Sequence, residues 1–132
     1  MSDFDVLLEE FSRNPGASVQ DIHSAAEALK MELPSDYVAF LRESNGGEGM
    51  IGENYVVLWK AEELAEMNKS YQVAEYAPGL LFVGSDGGGE AFAFDTRTTP
   101  WPVVKVPFVG MDLQYAQVIA PSFIASMKTL AG

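Results

Sequence analysis

The sequence predicts a single α+β domain, with a mostly antiparallel sheet packed against N-terminal, middle and C-terminal helices. Three observations predict it. Apolar residues recur at helical spacing through the first third of the chain, from Phe4 to Leu41. The period then changes to short aromatic and β-branched runs, beginning with Tyr55, Val56, Val57, Leu58 and Trp59. Two such runs, 80–84 and 90–95, are separated by five residues. A parallel crossover needs about a dozen residues or more, so these two strands form an antiparallel hairpin. A chain of 132 residues holds one ordinary domain, taken as 1–132. At 48% hydrophobic and 20% charged residues it has enough apolar surface to offset chain entropy, so an ordered core is expected.

Each element has a local reason. Phe4, Leu7, Leu8 and Phe11 share a helical face and predict a first helix, stopped by Asn14, Pro15 and Gly16. Ser18 with Asp21 three positions later is an N-cap signature for a second helix over 19–31. Its predicted buried face is Val19, Ile22, Ala26 and Leu29. Pro34 suits the first turn of a third helix, with Tyr37, Phe40 and Leu41 inward and Asn45, Gly46 and Gly47 as the stop. Residues 61–75 predict a fourth, with Leu64, Met67, Tyr71 and Ala74 on one face. Val103 to Val106 is a further strand, bounded by Pro102 and Pro107. Pro121 opens a last helix whose face is Phe123, Ile124, Met127 and Leu130. The run Gly46 to Glu53 reads as a surface loop.

Composition narrows the function. Without cysteine there is no disulfide, thiolate nucleophile or Cys-held metal. The N-terminus is acidic and unlike a signal peptide, and no apolar run approaches the ~20 residues of a membrane helix. A cytoplasmic location is expected. The formal net charge of −11 repels nucleic acid and anionic membrane surfaces, so a partner selected by charge is basic. The same charge also serves solubility alone.

The chemical motifs are sparse. The loop Gly84 to Glu90 is glycine-rich, but no Lys follows it and Asp86 and Glu90 flank its glycines. Those carboxylates oppose phosphate, so a hairpin turn using positive φ is the reading, with partner contact as its functional alternative. Asp86, Glu90 and Asp95 match no calcium loop. His23 is the single histidine; Asp21, two positions before it on a helix, does not face its ring. No nucleophile elbow or zinc-protease motif is present, so no catalytic residue, metal or cofactor is assigned. Trp59 reads as core. Trp101, held between Pro100 and Pro102, reads as packing over the core edge or as an interface anchor.

Four pieces of sequence in fixed order resemble one family. They are Glu27 with Leu33, Pro34, Tyr37, Phe40, Leu41, Asn45, Gly46 and Gly47; then Phe82, Val83, Gly84, Asp86, Gly87 and Gly88; then Phe92, Phe94 and Asp95; then Ile119, Ala120, Ser122 and Phe123. This pattern, from about residue 20 to the end, resembles the SUKH superfamily of bacterial immunity proteins related to the yeast cell-wall-assembly regulator of the Smi/Knr type. The resemblance implies helices packed on a central, mostly antiparallel sheet. It also implies a protein that binds and neutralises a cognate toxin, often a nuclease, without catalysis. A basic nuclease groove is complementary to an acidic inhibitor. The motif residues identify the fold and not the partner. The partner surface is therefore assigned to loop carboxylates Glu48, Glu53, Asp86 and Glu90, with Trp101 as anchor. An intracellular regulatory interaction module is the alternative, and a carboxylate-based enzyme ranks behind both.

Overall fold

The computed structural model describes residues 3–132. Its elements are α1 (Asp3–Leu7), β1 (Phe11–Arg13), α2 (Val19–Leu29), α3 (Ser35–Glu43), β2 (Gly47–Ile51), β3 (Asn54–Leu58), α4 (Leu64–Ser70), α5 (Val73–Tyr76), β4 (Leu80–Ser85), β5 (Glu90–Asp95), β6 (Val103–Pro107), β7 (Gln117–Ala120) and α6 (Phe123–Ala131). The strands form one sheet in sequence order from β1 to β7, every neighbouring pair antiparallel. The α+β class expected from the sequence is the class observed.

The core is an aromatic cluster between the sheet and three helices. Phe40 of α3 meets Phe4 of α1 at 5.7 Å, Phe11 of β1 at 6.5 Å and Phe123 of α6 at 5.3 Å between ring centres. Tyr37, one turn earlier, meets Phe94 of β5 at 5.2 Å and Phe123 at 5.0 Å. Burial pushes the pKa of the Tyr37 hydroxyl up. The starts of α3 and α6 are tied by Asp36, whose carboxylate accepts the Ile124 backbone N–H at 2.9 Å. Side chains alternate along β4 and β5, so Phe82 points to the opposite face from Phe94. There Phe108 meets Phe82 at 5.8 Å, and Tyr71 bridges Phe108 and Trp59. Trp59 is buried, as expected.

The cap on α2 matches its sequence signal, while Pro34 is the N-cap of α3 and Ser122, not Pro121, caps α6. Ser18 accepts the Asp21 N–H at 3.0 Å, and Ser122 accepts the Ala125 N–H at 3.2 Å. Four expectations need correction. Phe11 is on strand β1, not on the first helix, which ends at Leu7; strand alternation lets Phe11 reach Phe40 while Ser12 faces out. Val19 is exposed, and Ala25 joins Ile22 on the buried face of α2. The fourth helix breaks at Gln72, whose φ of 55° is left-handed, so Val73 turns inward where Ala74 was expected. The run Gly46 to Glu53 is not a loop. It holds β2 and a two-residue turn at Gly52 and Glu53, because β2 pairs with β3 over its whole length. Strand β7 was not foreseen either.

The sheet has one narrow seam. β3 and β4 pair only at Val57–Ser85 and Leu58–Gly84, with one further bond from the Trp59 N–H to the Val83 carbonyl at 3.0 Å. Beyond that point Asn68 of α4 takes the place of a strand. Its side-chain amide accepts the Phe82 N–H at 2.8 Å and donates to the Phe82 carbonyl at 2.9 Å.

Candidate partner-binding face

Where β1, β2 and β3 carry Phe11, Ile51, Val56 and Leu58 into the core, their alternate residues point the other way. Ser12, Glu48 and Val57 stand side by side in register on that opposite face, and Met50 and Tyr55 form the next row. Ser12, Glu48 and Tyr55 are exposed. A groove of about 400 Å³ crosses this face, lined by Ser12, Asn14, Glu48, Val57, Lys60 and Glu63 among others.

Tyr55 links two sequence-distant pieces. Its hydroxyl donates to the Glu48 carboxylate. That bond, then burial, then the Glu48 charge raise the Tyr55 pKa. A side chain added at Gly87 would lie 2.7 Å from the Tyr55 ring, so the turn between β4 and β5 rests against Tyr55. Gly87 has φ +80°, as a positive-φ hairpin turn requires. The turn at Gly52 and Glu53 lies at this same end, since β3 runs antiparallel to β4. Glu48, Glu53 and Glu90 therefore lie toward one end of the sheet, with Glu90, two positions before core-facing Phe92, on the side opposite Glu48.

Asp86 is at the same end but is used internally. One carboxylate oxygen accepts the N–H groups of Gly88 at 2.8 Å and Glu90 at 3.2 Å; the other lies 3.6 Å from the Lys105 ammonium. Burial alone raises its pKa, but these two N–H groups and Lys105 outweigh it and hold the carboxyl below the usual aspartate range. Asp95 is lowered too, first by its side-chain bond to Arg97. Depressed folded values mean stability that is complete above a pH of about 4 and lost as pH falls through them. Acid unfolding followed by circular dichroism should therefore be shallower in Asp86→Asn than in the unsubstituted protein below that pH.

Trp101 lies elsewhere. It follows β5, whose six residues span roughly 20 Å from the acidic end. Half-buried, it packs on Phe94 at 5.8 Å and lines a separate cleft of about 400 Å³ with Leu33, Pro34 and Pro100. The sequence grouping of Trp101 with the carboxylates is thus not a spatial one. His23 is exposed and pairs with Glu27 one turn along α2 at 3.1 Å. Among the described residues no cluster of histidine and carboxylates is arranged to hold a metal, and no helix is long and apolar enough to cross a membrane.

The motif residue Asn45 has a structural task that sequence reasoning reduced to ending a helix. Its side chain accepts the buried Ala61 N–H at 2.8 Å and donates to Glu62 at 2.7 Å, while its backbone bonds Pro15 and Asn14. It fixes the start of the segment that carries Lys60 and Glu63 to the groove. Asn45→Ala leaves the Ala61 N–H unpaired and should cost about 1–3 kcal/mol in urea denaturation. The only signal for Glu63 was a cluster with Glu62 and Glu66, which does not reveal which of them meets a groove.

The comparison with curated proteins gives no match. The SMI1 / KNR4 family (SUKH-1) matches residues 16–128, which takes in all four pieces of the motif. On that match, and with the antiparallel sheet and its helices in place, the chain belongs to the SMI1 / KNR4 family (SUKH-1).

Proposed function

We propose that this protein is a non-enzymatic immunity protein that binds a cognate toxin domain and neutralises it. The proposed toxin is basic, of the nuclease type, and the contact is made by the acidic end of the sheet. Family membership supports the immunity role. The observation that carries the choice of surface is exposed Glu48, bonded by Tyr55 on the open side of β2 and β3, with Glu53 in the turn joining those strands and Glu90 at the start of β5 toward the same end of the sheet. A chain of net charge −11 attracts a basic groove at long range, and carboxylates placed there compete with phosphate. Glu63 extends the contact along the groove. Trp101 serves as a second contact for a partner broad enough to reach it, and Asp86 holds the turn in shape.

The experiment is co-expression with any toxin domain found encoded beside this gene. The unsubstituted protein should restore growth. Replacing Glu48, Glu53 and Glu90 together by lysine should abolish rescue while leaving the circular dichroism spectrum unchanged. Failure of the unsubstituted protein to protect against that toxin contradicts the proposal.

A further inference from the structure

The two edges of the sheet are built differently. β1 has three residues, is preceded by Glu9 and Glu10, and ends in Arg13, which is paired with Asp5 at 3.2 Å. Short, charged edges of this kind discourage further strand pairing. β7 reads Gln117, Val118, Ile119, Ala120 and carries neither charge nor proline. Between Val106 and Met127 the one charged residue is Asp112. Yet this stretch is apolar on the outside: Val109 is 91% exposed, Val118 69% and Tyr115 54%. An unprotected edge flanked by exposed apolar side chains is a template for another strand.

We propose that the occupant is a second copy of this chain, with the two β7 strands pairing antiparallel about a two-fold axis to join both sheets into one. An antiparallel edge is self-complementary, so the same patch serves both copies. Charge argues for a like partner at this place. Two molecules of net charge −11 repel, and they approach best where carboxylates are sparsest, here Asp112 alone between Val106 and Met127. A basic partner, in contrast, gains nothing from an uncharged edge and is drawn to the acidic end. β7 lies four strands from β3, so dimer formation leaves Glu48 and Tyr55 open. The dimer presents two such faces.

The test is the solution mass by sedimentation equilibrium at about 0.1 M and about 1 M salt, where the screening length falls from about 10 Å to about 3 Å. Twice the 14.3 kDa chain mass is expected, with association stronger at high salt because repulsion is screened. Val118→Lys should weaken association at least tenfold. Val19→Lys, at an exposed site on α2, should leave it unchanged, and circular dichroism checks that both variants fold. A monomer at every concentration overturns the proposal and leaves the edge to a different chain. A dimer indifferent to Val118→Lys, or one dissolved by salt, overturns it as well.

Discussion

Replacing Phe40 with alanine is expected to destabilise the protein by about 3–5 kcal/mol, a large part of the 5–15 kcal/mol typical of a domain. The ring is fully buried and touches Phe4, Phe11 and Phe123, so it joins α1, β1, α3 and α6 in one contact. Its ring neighbours come from three separate elements, which limits how far any of them collapses into the space left behind. The cost is the lost transfer energy plus that of the remaining cavity. Urea denaturation should show a lower midpoint with an unchanged slope. Val19→Ala, on the exposed side of α2, should move the midpoint little. Equal effects at the two positions would contradict the packing described for α3.

The second large effect is expected at Gly84. A side-chain carbon placed there would lie 2.1 Å from the Val57 carbonyl oxygen and 3.1 Å from the Leu58 Cα. Both obstacles are backbone of β3 and neither can swing aside. Gly84 sits at the seam, where β3 and β4 share two register pairs. Gly84→Ala therefore forces the two strands apart where few bonds hold them. Overpacking commonly costs 1–3 kcal/mol, and here about 3 kcal/mol or more is expected because pairing is lost too. The lesion should also be local. Amide exchange should accelerate at Trp59, whose N–H bonds the Val83 carbonyl, more than in α3. A variant as stable as the original would show that the strands do not cross as closely as described.

Gly84 also shows why parts of the fold were legible and others were not. Its place in a recurring motif was visible in the sequence; the neighbour that demands a glycine there is 27 positions earlier and was not. α3 was legible because its signals are local: Pro34 at the start, Tyr37, Phe40 and Leu41 on one face, Asn45 and Gly46 after the end. The β4–β5 hairpin was legible because five residues admit few other connections. β2 was hidden because Gly47, Glu48 and Gly49 have poor strand preference. Pairing with β3 on one side and β1 on the other makes it a strand regardless. β1 was hidden because Phe11 also fits a helical period with Phe4, Leu7 and Leu8. Four-residue β7 offers too little alternation to stand out.

The candidate site divides along the same line. The assignment of the carboxylates near the two glycine-rich turns to a partner surface came from charge and loop composition. That Glu48, Glu53 and Glu90 share one end while Trp101 lies beyond the far end of β5 depends on strand register, which no local pattern encodes. Asp86 looked like its neighbours in sequence. Only the bonds to Gly88, Glu90 and Lys105 separate it from them.

The proposal tested most directly is that the acidic end of the sheet binds a basic toxin domain. The most direct measurement is the association rate with a toxin domain found encoded beside this gene, taken across a range of ionic strength. Electrostatic steering predicts fast association at low salt that falls steeply as salt rises. With Glu48, Glu53 and Glu90 all replaced by lysine, association should slow at least tenfold and lose most of its salt dependence. Binding that is unaffected by salt and by those three substitutions would contradict the account.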